Sequence, residues 1–191
     1  WDADSGAQLL TMSAGQGADF TSIVYSPDGE QLLTSGFDGS ATVWEAATGL
    51  EVVTLYGHTD IVNDAAFSAD GTLMATASSD GTAKLWDAAT GRELFTLTGH
   101  AAGVVKVAFS SDGARLATAS RDGTAKVWYA FSAGLGELGV WRDTAAVVSV
   151  SFSPDGSTLA EGNSDGAVTL RDSVSGDVLW TTPGHASSVE V

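Results

Sequence analysis

Residues 80–87 read Asp-Gly-Thr-Ala-Lys-Leu-Trp-Asp, and 42 residues later 122–129 read Asp-Gly-Thr-Ala-Lys-Val-Trp-Tyr. Looser copies stand at 38–45 (Asp-Gly-Ser-Ala-Thr-Val-Trp-Glu) and 165–172 (Asp-Gly-Ala-Val-Thr-Leu-Arg-Asp). A fixed period of this size constrains the fold before any single residue does, because a unit of about 40 residues must stack on its neighbours to bury its apolar faces. Two glycine series report the same phase. Gly29, Gly71, Gly113 and Gly156 step by 42, 42 and 43, as do Gly39, Gly81, Gly123 and Gly166.

Between these glycines lie short runs rich in β-branched and aromatic residues, such as 23–25, 104–109 and 147–152. They have the length of strands, and no segment offers a helical face. The copy that begins at Gly57 predicts strands over 62–67, 73–77, 82–86 and 93–97, joined at 68–71, 79–81 and 88–91. Asp supplies a side-chain acceptor for nearby backbone N–H groups and Gly accepts positive φ, so Asp-Gly between apolar runs signals a hairpin. The unit reads as a four-stranded meander and the chain as all-β.

Gly57-His58 leads to Trp86-Asp87, and Gly99-His100 leads to Trp128-Tyr129. This phasing resembles the WD40 repeats, whose period of about 40–45 residues carries Gly-His near its start and Trp-Asp near its end. The resemblance covers the whole chain. It implies a WD40-type β-propeller of four-stranded antiparallel blades, present here as an incomplete or open arc. The expected divisions are the end of a preceding blade repeat at 1–13, repeats at 14–56 and 57–98, a repeat with an irregular fourth strand at 99–141, a degenerate repeat at 142–183, and the start of another at 184–191. Trp1 aligns with Trp44, Trp86 and Trp128, and residues 8–12 would supply the strand that follows it. Four full repeats and two part-repeats cannot easily close, so the chain is expected to be a fragment of a longer protein. A ring completed by a second copy is the alternative. Open ends would expose unpaired backbone and apolar faces, which invites self-association.

The resemblance also implies a buried network joining the Gly-His histidine, a Ser or Thr of the second strand, the turn Asp and the third-strand Trp. Two repeats match in full, with His58, Thr76, Asp80 and Trp86, then His100, Thr118, Asp122 and Trp128. The first keeps Thr34, Asp38 and Trp44 but has Gln16 in the histidine position. The fourth places Asp143, Glu161, Asp165 and Arg171 in the four slots. Unpaired buried charge is strongly disfavoured, so either Arg171 neutralises part of this group or the blade opens toward water. Clustered carboxylates can hold a hard cation. Drift of the slots, with Arg171 as an ion-pair partner, explains the same residues, and no metal or cofactor is assigned.

Composition adds exclusions. Eight of the 24 acids are the turn residues Asp28, Asp38, Asp70, Asp80, Asp112, Asp122, Asp155 and Asp165, yet the net charge of −16 remains large. It argues against direct nucleic-acid binding, which needs clustered Lys and Arg, and favours encounter with basic surfaces. The absence of cysteine removes disulfides, thiolate ligands and a Cys nucleophile. No run resembles a signal or a membrane span, and the compartment is left open with the cytoplasm expected. The Gly-x-Gly-x-x-Gly match at 134–139 lies in the fourth-strand region of a blade and lacks the strand-to-helix setting of a dinucleotide site. Residues 2–6, which look like the opening of a calcium loop, align with the blade turn at 87–91. His58, His100 and His185 all belong to Gly-His dipeptides, which makes a histidine general base improbable and leaves no catalytic residue assigned.

Function is then expected on surfaces. The resemblance implies protein partners on the face bearing the Gly-His loops and Asp-Gly turns, where residues that differ between repeats carry information. Before the turn Asp these are Phe37, Ser79, Arg121 and Ser164; before the first strands they are Asp19, Ile61, Gly103 and Ala146. Phe37 and Ile61 are candidate apolar anchors and Arg121 a polar one, since aromatic and Arg side chains dominate interface energetics. Packing of Phe37 on a neighbouring blade, and a strand-start role for Ile61, are the competing readings. The expected function is a non-catalytic protein–protein interaction scaffold, one module of a larger regulatory or signalling protein resembling bacterial WD40 arrays. An enzyme or small-ligand binder using the central channel is the alternative. It is disfavoured because the repeated His and Asp already have structural assignments.

Overall fold

Each Asp-Gly turn reverses the chain because its glycine takes a backbone that side chains resist. The first series lies at φ 67–74° and the second at 81–86°. The aspartate completes the turn: Asp28 Oδ1 accepts the Ser26 hydroxyl at 2.6 Å and the Glu30 N–H at 3.0 Å. Asp70, Asp112 and Asp155 do the same one, two and three repeats later. The structure, a computed structural model, describes Ser5, Gln8, residues 19–130 and residues 136–184. The expectations placed on Trp1, Gln16 and His185, and all but Gln8 of the strand over 8–12, lie outside the described residues.

The described residues form four antiparallel meanders. The first comprises β1 (Phe20–Tyr25), β2 (Gln31–Gly36), β3 (Ala41–Glu45) and β4 (Glu51–Leu55). The second comprises β5 (Val62–Phe67), β6 (Leu73–Ser78), β7 (Ala83–Asp87) and β8 (Glu93–Leu97). The third comprises β9 (Val104–Phe109), β10 (Arg115–Ser120), β11 (Thr124–Tyr129) and β12 (Glu137–Arg142). The fourth comprises β13 (Val147–Phe152), β14 (Thr158–Asn163), β15 (Val168–Asp172) and β16 (Val178–Thr181). Glu137, Leu138 and Gly139 of the glycine-rich motif belong to β12, which pairs with β11 as the other fourth strands pair with theirs. The outer pair of every sheet shifts register at one place, beside Trp44, Trp86, Trp128 and Arg171.

The core lies between sheets. Leu33, Val43 and Leu55 of the first sheet pack on Ala65, Met74 and Trp86 of the second. Ala75, Leu85 and Leu97 pack on Val107, Leu116 and Trp128. Ala117, Val127 and Trp141 pack on Val150 and Leu159. First strands β1, β5, β9 and β13 line up along the inner side, each against the next. Among the described residues no such cluster joins the fourth sheet to the first, so these four blades form an arc that is not closed. Ile23 is 57 % exposed, whereas Ala65, Val107 and Val150 at the same register are at most 4 % exposed. The fourth sheet shows the converse, since Trp180 is an exposed large apolar residue.

Candidate functional site

The second and third blades hold one hydrogen-bonded chain each. Trp86 Nε1–H donates to Thr76 Oγ1 at 2.9 Å, and Thr76 lies 2.8 Å from His58 Nε2. His58 Nδ1 lies 2.9 Å from Asp80 Oδ2. A carboxylate only accepts, so Nδ1 carries the ring hydrogen and the Thr76 hydroxyl donates to Nε2. Thr82 Oγ–H and the backbone N–H groups of Thr82 and Thr59 also reach Asp80. The third blade repeats the chain through Trp128, Thr118, His100 and Asp122, at 3.0, 2.8 and 3.1 Å. Burial pushes Asp80 and Asp122 up, but these donors outweigh it and hold both carboxyls at about 2. Burial depresses both histidines despite the neighbouring carboxylates, which keeps the rings neutral.

Among the described residues, the first blade shows the Trp-to-Thr half of this chain. Trp44 Nε1–H donates to Thr34 Oγ1 at 2.8 Å, and the Thr34 hydroxyl turns to the Thr42 carbonyl at 3.3 Å. Asp38 is exposed and accepts from Ser40. In the fourth blade Arg171 Nε–H donates to Glu161 Oε2 at 2.8 Å, both side chains being buried. The first of the two sequence alternatives is therefore realised for this pair. Asp143 Oδ2 accepts from Asn163 Nδ2 at 2.7 Å and from Thr169 Oγ1 at 3.3 Å. Asp165 stands apart from them, exposed in its turn.

Three groups escape sequence reasoning. Lys84 is buried on β7, where it donates to Glu93 Oε2 at 2.9 Å and Thr96 at 2.8 Å, and Lys126 pairs with Glu137 in the next blade. The signal was present in the repeated Lys of the copied phrase and in the Glu that recurs on the fourth strand. Gly57 fits here because a Cβ would stand 3.1 Å from Glu93 Oε2. Asp64, buried on β5, accepts from Ser22, Lys106 and the Val107 N–H; burial pushes its carboxyl up against these donors. It lines a polar cavity of about 250 Å³ with Ser22, Lys106 and Ser149, one residue from each first strand at the same register. Arg115 donates to Ser173 Oγ and the Gly156 carbonyl, both at 2.8 Å, and tethers the third blade to the fourth. Neither Asp64 nor Arg115 repeats, so periodicity could not reveal them.

The variable loop residues share one end of the blades. Phe37 is 55 % exposed and its N–H bonds to the Asp19 carbonyl, which sets these two candidates side by side. The Ser79 N–H bonds to the Ile61 carbonyl in the same way, and both residues are half-buried. Arg121 is exposed and bonds through its N–H to the Gly103 carbonyl, while exposed Ser164 pairs with Ala146. The candidates thus form one pair per blade, spread along the arc. Gly39 explains their closeness to the Gly-His loop, since a Cβ there would stand 3.2 Å from the Asp60 carbonyl.

Comparison with known families adds the last observation. The family described as WD domain, G-beta repeat matches residues 6–45, 49–87 and 91–129, more than half of the chain. The matched frame 49–87 runs from the fourth strand of one blade through the first three of the next, so each repeat spans two sheets. Comparison with curated proteins found no match. Among the described residues, no helix is long and apolar enough to cross a membrane. WD40 repeats generally mediate protein–protein interaction, and their propellers are generally non-catalytic scaffolds. With the period, the meander, the His-Thr-Asp-Trp chains and the matched repeats all in register, this chain belongs to the WD40-repeat family.

Proposed function

We propose that this chain is a non-catalytic interaction scaffold whose protein partner docks on the end of the arc carrying the Gly-His loops and Asp-Gly turns. The observation that carries the reading is a contrast within those loops. Residues that repeat are buried and bonded to one another, as in His58, Thr76, Asp80 and Trp86, whereas Phe37 and Arg121 point to solvent. Phe37 and Ile61 serve as apolar anchors and Arg121 as a charge-assisted donor, with Asp19, Ser79 and Ser164 at the rim. The acid surplus favours partners with basic surfaces. Lys84, Lys106, Lys126 and Arg171 are occupied in ion pairs, which supports a protein partner over a nucleic-acid backbone. The resemblance to bacterial regulatory arrays supports a module of a larger regulatory or signalling protein, and the apolar faces at both ends of the arc support self-association.

Pull-down from lysate of the source cells, with Phe37→Ala and Arg121→Ala singly and together, tests the docking end. Capture is expected to fall at least tenfold in the double variant while the melting temperature holds. Undiminished capture would reject this face.

A further inference from the structure

We propose that the groove between the first and second blades binds the guanidinium of an arginine on a partner polypeptide. The chain fills the matching groove between its third and fourth blades with a guanidinium of its own. There Arg115 donates through Nη1 to Ser173 Oγ and through Nη2 to the Gly156 carbonyl, both at 2.8 Å, and its guanidinium carbon lies 5.3 Å from the centre of the Phe152 ring. Its charge also reaches Asp112 and Asp172. Between the first and second blades the repeat places Gln31 where Arg115 stands, Gly71 and Ala88 where Gly156 and Ser173 stand, and Phe67 where Phe152 stands. Asp28 and Asp87 take the positions of the two acids, so the setting is kept and the guanidinium is missing.

Distances at the two glycines show that both junctions bring the same positions together. A Cβ at Gly156 would stand 3.0 Å from Arg115 Nη2 and 3.9 Å from Ser111. A Cβ at Gly71 would stand 3.7 Å from Pro27, which holds the Ser111 position, and Gln31 does not come within 4 Å of it. A cavity of about 410 Å³ lies there instead, and Asp28, Glu30, Gln31, Gly71, Asp87 and Ala88 are among its lining. Between the second and third blades Leu73 takes the Arg115 position and is buried. Ala88 lacks the Ser173 hydroxyl, but Glu30, at the position of Ala114, brings a carboxylate that the other junction does not have. Asp28 and Asp87 accept the donors of their own turns on Oδ1, and a carboxylate has a second oxygen. Residues 1–83 hold 12 Asp and Glu and neither Lys nor Arg, so the first blade has no basic side chain to fill the cavity. Arg92 of the second blade is exposed and acts on Asp87 from its own turn. Carboxylates on two sides, a glycine carbonyl and a neighbouring ring suit the flat fork of arginine better than the point charge of lysine.

Titration of the nitrogen-15-labelled chain with the peptide acetyl-Gly-Arg-Gly-amide at low salt, followed by amide NMR, tests the proposal. Saturable shifts are expected at Gly71, Thr72 and Ala88, with an affinity roughly tenfold above that of the peptide carrying Lys in place of Arg. Glu30→Gln should weaken binding about threefold or more, as loss of one charged acceptor does. Gln31→Arg supplies the guanidinium from within, as Arg115 does at its own junction, and should abolish the shifts. No saturable shift in the parent chain would overturn the proposal. So would equal binding of the Lys peptide, which would mean charge attraction without a shaped site, or shifts undiminished in both variants, which would place the peptide elsewhere on the acidic surface. The groove lies at the end of the blades opposite Phe37 and Arg121, so its failure would leave the docking reading untouched.

Discussion

Thr76 Oγ1 accepts from Trp86 and donates to His58, so one hydroxyl satisfies two buried rings. Among the described residues Thr34 serves Trp44 alone in this way and gives its hydrogen to a backbone carbonyl. Each buried polar atom left without a partner costs about 1–3 kcal/mol. Thr76→Val is therefore expected to cost about 2–4 kcal/mol and Thr34→Val about half as much. Urea unfolding of both variants measures the difference, and equal losses would contradict the network. The histidines supply a pH test with a definite sign. Burial lowers their folded pKa below the ordinary value, so the neutral rings contribute stability above pH 6.5 that is lost as pH falls through the folded pKa. The carboxyls held at about 2 extend the loss below pH 4, while the raised Asp64 and Glu161 act in the opposite sense. Ring proton NMR isolates the histidines: both should titrate below 6.5, and a value above it would contradict the buried neutral chain.

At the scale of strands and sheets, the period made most of the architecture legible. Strand positions follow from Asp-Gly turns and β-branched runs, and β5 and β8 fall on the residues predicted. What escaped depends on neighbours that a single repeat does not contain. The register of Asp64 beside Ser22 and Lys106 arises only when three first strands lie side by side. The exposure of Phe37 likewise depends on how its turn leans, which the sequence left between packing and solvent. Arg115 occupies a position held by Gln31, Leu73 and Thr158 elsewhere, so alignment makes it look like drift. In the fold it bridges Ser173 and Gly156 and lies 5.3 Å from the Phe152 ring centre. Arg115→Ala is expected to cost about 1–3 kcal/mol, as loss of charge-assisted bonds does. Hydrogen exchange over residues 153–176 should rise with it, and an unchanged rate there would show that the blades are held by apolar packing alone.

For the molecule as a whole, the three blade interfaces set a standard that the two ends do not meet. Phe20, Ile23 and Tyr25 present apolar surface on the first blade, and Val178, Leu179 and Trp180 on the fourth. Sedimentation velocity is expected to show concentration-dependent association, with Ile23→Asp returning the chain to monomer; a monomer at every concentration would contradict exposed faces of this kind. The wider claim is a division of labour, in which residues shared by the repeats hold the blades and residues that differ meet the partner. Hydrogen exchange of the partner-bound chain tests it most directly. Protection is predicted at residues 37–39, 58–61, 79–81 and 121–123, at the end bearing Phe37 and Arg121. Protection confined to the opposite turns, at 26–30, 46–50 and 68–72, would contradict it.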